Sequence, residues 1–311
     1  MRLFLVRHGE TVDNVAGVYA GTRDSPLTAH GVIQARRLGA HLAARAGAIG
    51  RVTHVLTSDL KRAVETAEAV VAAQVGVGRP AGHAGAVDHD GADDGNGGDA
   101  MPPPLRVVQR LELRERDFCR AEGAKFGAAP SLALAGAESR EQMRLRAEKF
   151  VEGDLAPLLL SADGTGGCVV VVAHGLILDS LLRVLLARFG SAEAARLGSG
   201  GMTGWSNTGY VELVVRTGSD KPVAAEGADA VEISGEVSGD RTPATPAVLS
   251  PPQPRATLSV VGVNVLKHLE GLKKTRGGIG SAQFDKRQRT MDSFFGPSAK
   301  KARVEKESEE A

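Results

Sequence analysis

Two short apolar runs in this chain end in the same way, and that shared ending limits the folds open to it more than any other feature. Leu3-Phe4-Leu5-Val6 leads into Arg7-His8-Gly9, and Cys168 to Ala173, nearly all valine, leads into His174-Gly175. Unbroken apolar runs of this length read as buried strands, and a glycine directly afterwards lets the backbone turn sharply. The segments between and around them alternate in character. Thr28 is suited to N-cap a helix with apolar residues at Ile33, Leu38 and Leu42. Val52 to Thr57 reads as another strand, and Ser58 or Asp59 as the cap of a helix with an apolar face of Leu60, Ala63, Val64, Ala67, Val70 and Val71. A 3.6-residue period returns from Glu138 to Leu160, and a further helix is expected from Leu176 to Phe189. Leu105 to Gln109 reads as a short strand, Asn14 to Pro26 as a loop, and Gly209 to Val215 with Thr257 to Val263 as edge strands able to pair. Strands alternating with helices predict a doubly wound α/β domain.

With 311 residues the chain is long enough for a large core. The formal charge of +1 excludes no partner class, since it averages segments of opposite sign. Cys119 and Cys168 stand far apart and form no disulfide framework, which points to a reducing compartment. His174, Asp179 and Arg183 interrupt the most apolar stretch before it reaches the ~20 apolar residues of a membrane span. The amino terminus starts a strand at once, without a leader pattern, so a soluble cytoplasmic or nuclear protein is expected. Residues 76–104 and 217–255 are dominated by small, polar and acidic residues and read as flexible insertions.

The chemistry suggested by the strand ends is phosphoryl transfer. A phosphoryl group needs its oxygens neutralised and an atom that can attack phosphorus, and Arg7 and His8 offer both. In an open α/β sheet the carboxyl ends of neighbouring strands flank the ligand crevice, so His8 and His174 can share one site. Arg62, on the first turn of a helix after a third strand, can join them. Taken singly, Arg62 also fits a solvated helix residue and His174 a satisfied core histidine. The other histidines, His268 among them, read as structural or solvent-facing.

Several separated pieces now occur in order: Arg7-His8-Gly9-Glu10-Thr11, Asn14, Pro26-Leu27-Thr28 with Gly31-Val32-Ile33-Gln34-Ala35, Ser58-Asp59-Leu60-Lys61-Arg62-Ala63 with Thr66-Ala67, and Ala173-His174-Gly175. Together they resemble the histidine phosphatase superfamily, the relatives of phosphoglycerate mutase, over most of residues 1–215. The resemblance implies a three-layer α/β/α fold with a mostly parallel sheet and a phosphomonoester hydrolase without metal or other cofactor. It implies His8 as nucleophile, with Arg7, Asn14, Arg62, His174 and Gly175 around the phosphoryl oxygens. Leu113 to Gly123 resembles the acid-bearing loop of the phosphatase branch, which makes Glu115 the proton donor and Glu112 its nearest competitor. That loop carries Cys119 where glycine is usual and Ala121 where tryptophan is frequent. Its wording, and Val261-Gly262-Val263-Asn264 with His268-Leu269-Glu270-Gly271-Leu272, looks more like the TIGAR-like, fructose-2,6-bisphosphatase-like branch than like mutases. Hydrolysis of small phosphomonoesters, sugar bisphosphates among them, is expected over mutase-type phosphotransfer. The late match extends the domain to residue 275.

Residues 276–311 read as a polar tail interrupted by Gln288, Met291, Phe294 and Phe295, whose spacing resembles the PCNA-interacting peptide of sliding-clamp partners. A single 3₁₀ turn puts Met291 and Phe294 on one face for an apolar pocket. Lys286, Arg287, Arg289, Lys300, Lys301 and Arg303 flank it and read as a nuclear import signal or as an electrostatic aid to binding. No sequence-specific nucleic-acid contact is expected. A competing reading makes the chain a non-catalytic nuclear adaptor for the clamp on a phosphatase fold.

Overall fold

The computed structural model describes residues 1–74, 104–127, 134–160, 167–190, 204–217, 256–275 and 278–285. The two insertions, apart from Pro104 and Thr217, and the clamp-like motif at 288–295 lie outside the described residues.

The chain begins with strand β1 (Arg2–Arg7), followed by helices α1 (Val12–Ala16), α2 (Ala29–Ala44) and α3 (Ala46–Ile49). Strand β2 (Val52–Thr57), helix α4 (Lys61–Ala73) and strand β3 (Val107–Gln109) come next. Helix α5 (Arg140–Phe150) passes through a π turn, Val151–Leu155, into α6 (Ala156–Leu160). The turn precedes Pro157, which has no N–H with which to continue the α-helical ladder. Strand β4 (Cys168–Ala173), helix α7 (Gly175–Phe189) and strands β5 (Tyr210–Thr217) and β6 (Ala256–Val265) complete the order.

One sheet holds the strands in the order β3-β2-β4-β1-β5-β6. The pairs β3–β2, β2–β4 and β4–β1 are parallel, while β5 and β6 add antiparallel pairings. Only β6 of that last pair is an edge; β5 lies inside the sheet between β1 and β6, because the apolar strand Tyr210–Thr217 pairs on both sides. Every residue of β4 is buried. Its side chains alternate between two cores, as a strand covered on both faces requires. Val169, Val171 and Ala173 join Leu3 and Leu5 against α5, α6 and α7, whereas Val170 and Val172 join Phe4 and Val6 against α2 and α4. This is the expected three-layer α/β fold with a mostly parallel sheet.

Three local readings are corrected. The Asn14–Pro26 loop is shortened by α1, which begins because Thr11 and Asn14 form a reciprocal capping box. Helix α4 starts after Leu60, with no side-chain cap; Ser58 Oγ accepts from the Leu60 N–H, and Asp24 Oδ1 from the Lys61 N–H at 2.9 Å. The domain also extends past residue 275. Residues 278–285 lie along the start of α2, where the Ala29 N–H donates to Ala282 O at 3.0 Å and the Phe284 N–H to Leu27 O at 3.0 Å. The Arg36 guanidinium lies 5.9 Å over the Phe284 ring, an apolar anchor inside a stretch that otherwise looks polar.

Candidate active site

The site forms where β1 and β4 end side by side. Their register pairs Arg7 with Ala173, so the next residue on each strand is a histidine. The His8 N–H donates to Ala173 O at 3.0 Å, and the two imidazole centroids are 5.1 Å apart. Both rings are buried, His8 4 % and His174 0 % exposed.

Their hydrogen bonds set opposite tautomers. His8 Nδ1 lies 2.7 Å from Gly9 O. A carbonyl only accepts, so Nδ1 carries the proton and the Nε2 lone pair is left free. His174 Nδ1 accepts from Arg62 Nε at 3.1 Å, which puts the His174 proton on Nε2. That Nε2–H is buried with no partner among the described residues. Burial, then the charges of Arg62 and Arg7, holds His8 well below the usual histidine range, against a smaller opposing effect from Gly9 O. Burial and then Arg62, with smaller contributions from His8, Arg7 and Arg146, do the same to His174. One site therefore holds two neutral imidazoles, one with a free Nε2 lone pair and one with a free Nε2–H.

Arg62 is 1 % exposed on the first turn of α4. Besides His174 it donates to Arg23 O at 2.6 Å and Gly21 O at 2.7 Å. A guanidinium has five N–H donors, so two remain. Burial pushes it down to about 10, against the opposing charges of Glu115, Asp24 and Asp13, and it stays cationic. Arg7 is fixed by a bond from Nη1 to Trp205 O at 2.6 Å, and its buried Nε has no partner among the described residues. Arg7, Arg62 and His8 line one pocket, and unused donors of this kind are what a phosphoryl group with three charged oxygens needs.

Asn14 lines the same pocket, a cavity of about 430 Å³. Its Oδ1 accepts from the Thr11 N–H at 3.2 Å and from Asn207 Nδ2 at 3.0 Å. The end of the amide left over is therefore the donor. Glu115 reaches the pocket from the loop after β3, with Oε1 accepting from the Arg116 N–H at 2.9 Å and Oε2 from the Leu176 N–H at 3.3 Å. It thus caps the amino terminus of α7, beside Gly175, where an added Cβ would come 3.9 Å from Glu115 Oε2. The competitor Glu112 is instead paired with Lys149 at 2.7 Å. Cys119 adopts φ 50°, the left-handed conformation that glycine takes most easily. Its N–H donates to Asp117 Oδ1 at 2.6 Å and its Sγ to Gly136 O at 3.2 Å, which holds that backbone shape without the glycine.

The structure thus brings Arg7, His8, Asn14, Arg62, Glu115, His174 and Gly175 to one place. It also adds a turn absent from the sequence reading. The Thr208 N–H bonds Arg7 O at 3.0 Å and His8 O at 3.2 Å, and Asn207 Nδ2 bonds His8 O at 3.2 Å. Thr208, at φ 57°, hydrogen-bonds His268 Nε2 at 2.9 Å, which ties this turn to the late segment. Trp205, the only tryptophan of the chain, was the one available signal for this turn.

The sequence pattern of the "Histidine phosphatase superfamily (branch 1)" matches residues 3–78. Over 298 residues, 93 % of this chain and 78 % of the relative, the chain is 26 % identical to "Probable phosphatase C1620.13" of Schizosaccharomyces pombe. A 73-residue stretch is 47 % identical to "Probable phosphoglycerate mutase GpmB" of Klebsiella pneumoniae, and a 71-residue stretch is 49 % identical to "Adenosylcobalamin/alpha-ribazole phosphatase" of Salmonella typhimurium. Those matches span about a third of each bacterial relative, 32 % and 33 % of its length. Among solved structures, "Mycobacterial hydrolase 1" shares the fold at TM-score 0.52 and 22 % identity, over 85 % of this chain and 98 % of that one. Residues 3–78 thus carry the sequence pattern of the histidine phosphatase superfamily, and the chain is similar to phosphatases and to phosphoglycerate-mutase-like proteins.

Proposed function

We propose that the chain hydrolyses small phosphomonoesters through a phosphohistidine on His8. The observation that carries this reading is the tautomer pair, a free Nε2 lone pair on His8 beside an unpartnered Nε2–H on His174. In the first step His8 Nε2 forms a bond to phosphorus while the ester P–O bond breaks, and Glu115 gives its proton to the departing alkoxide. In the second step Glu115 takes a proton from water, whose oxygen bonds phosphorus as the N–P bond breaks, releasing inorganic phosphate. Arg7, Arg62, Asn14 and His174 hold the equatorial oxygens in both steps; loss of one such donor typically costs ~10² to 10³ in rate. Sugar phosphates, bisphosphates included, are the substrates the branch resemblance suggests, and mutase-type transfer is the alternative outcome. Assay of the full chain on p-nitrophenyl phosphate and a sugar phosphate panel, beside His8→Ala, tests the reading; equal rates for the two proteins overturn it.

A second proposal concerns the tail. Gln288, Met291, Phe294 and Phe295 are spaced for the apolar pocket of the PCNA ring, and the basic residues around them suit a nuclear protein. A peptide of residues 286–303 is expected to bind the clamp and to lose binding when Phe294 and Phe295 become alanine. Unchanged binding refutes the assignment.

A further inference from the structure

The pocket is lined by two chemically distinct sets of residues. Arg7, His8, Arg62 and Glu115 supply the charged and nucleophilic groups. Tyr19, Phe118 and Phe126 supply an aromatic wall. Tyr19 packs on Phe118 with ring centroids 4.6 Å apart, and meets Phe126 edge-on at 4.8 Å and 88°. Phe126 is 57 % exposed, yet its backbone is held in place. The Phe126 N–H donates to Gly17 O at 3.0 Å, the Tyr19 N–H to Ala124 O at 2.9 Å and the Gly123 N–H to Tyr19 O at 2.7 Å. Val18 and Lys125 form an antiparallel bridge in the same ladder. Two loops are therefore zipped together with an exposed phenylalanine ring fixed on the wall of a catalytic pocket.

From this wall we propose that the alcohol released by the site is aromatic, so that the preferred substrate class is an aryl phosphomonoester. The inference rests on the phosphatase reading of His8 and specifies what lies beyond the phosphorus. An aryl group placed against Tyr19 and Phe126 makes offset or edge contacts and covers apolar surface that is now exposed to water. A sugar at the same place brings several hydroxyls out of water, and beside the Tyr19 hydroxyl the side chains of Val18, Leu176, Phe118 and Phe126 have no group to receive them. The space does not end at a single ring. Tyr19, Phe118 and Leu176 also line an adjoining cleft of about 920 Å³ between the acid loop, α5 and α7, whose other walls carry charged side chains such as Arg116, Arg140 and Arg144, so polar substituents on the ring have a place to go.

Phosphonates separate this inference from turnover, because their P–C bond is not cleaved by the proposed chemistry. Calorimetry on the full chain is expected to show phenylphosphonate binding about 10-fold more tightly than methylphosphonate, the scale of one well-made aromatic contact. Phe126→Ala is expected to remove most of that ratio and Phe126→Trp to restore it. The ratio is an internal control, since misfolding weakens both ligands. Equal binding of the two phosphonates, or a ratio unmoved in Phe126→Ala, overturns the aromatic assignment while leaving the hydrolase reading intact. Selective binding of phenylphosphonate by a protein that hydrolyses neither aryl nor sugar phosphates overturns the hydrolase reading alone, and binding of neither phosphonate overturns the aromatic assignment.

Discussion

Asn207 Nδ2 donates to Asn14 Oδ1 at 3.0 Å, and this bond decides which end of Asn14 faces the pocket. The Thr11 N–H occupies the same oxygen, so the orientation follows from obligate donors. Asn207 is thus a positioning residue that acts through Asn14 and through its bond to His8 O. Replacing it with alanine is expected to lower kcat/KM on p-nitrophenyl phosphate about 10-fold, the scale of a hydrogen bond to a charged transition state. Asn14→Ala is expected to reduce the further effect of Asn207→Ala in a double-mutant cycle, leaving the part that runs through His8 O. Additive losses would show that Asn207 has only a general structural role.

Arg62 makes three hydrogen bonds in three directions from a nearly inaccessible position. Lysine keeps the charge but has a compact ammonium in place of a planar fork, and it cannot meet His174 Nδ1, Gly21 O and Arg23 O together. Arg62→Lys is therefore expected to lose ~10² or more in kcat/KM. It should also lower unfolding free energy by about 1–3 kcal/mol through unpaired buried acceptors. Steady-state kinetics and urea unfolding check both; near-wild-type activity would mean that charge alone suffices there.

Stability should depend on pH through the buried histidines. His8 and His174 are held well below the ordinary histidine value, chiefly by burial, and His268 is pushed down to about 4 by burial and, less, by His41 and Arg37. The unfolded chain titrates near 6.5, so below that pH it binds protons that the folded chain refuses. Stability is then full above about 6.5 and declines as pH falls, by about 1 kcal/mol per buried histidine between pH 7 and 5.5. Asp59 and Glu112 are held below the usual carboxylate range, chiefly by hydrogen bonds from Arg114 and Lys149, and act only at lower pH. Urea unfolding at the two pH values measures the loss; equal stability at both would mean the histidines are not buried as neutral groups.

The parts of the site that were legible in the sequence are those where one strand end delivers its own residues. Arg7-His8-Gly9 and His174-Gly175 announce themselves because an apolar run stops at a polar, turn-forming group. Their meeting follows from the parallel register of β1 and β4. The Trp205–Thr208 turn was illegible for a physical reason: it works largely through carbonyls, N–H groups and one amide reaching nearly two hundred residues back, and such groups carry little sequence signal. Helix α1 was missed because Asn14, expected as a phosphate ligand in a loop, serves at the same time as a capping residue. Residues 278–285 looked like tail because Phe284 is a single apolar anchor in a polar stretch, and only the edge of α2 makes it one.

The central claim is that His8 Nε2 carries the phosphoryl group. Rapid acid-free quench of the full chain during turnover of p-nitrophenyl phosphate, followed by peptide mass spectrometry, tests it directly. One phosphoryl group on His8 is expected, more abundant in Glu115→Gln, where the water-activating carboxylate is lost, and absent from His8→Ala together with turnover. Sustained hydrolysis by His8→Ala, or a phosphoryl group trapped on another residue, would contradict the account.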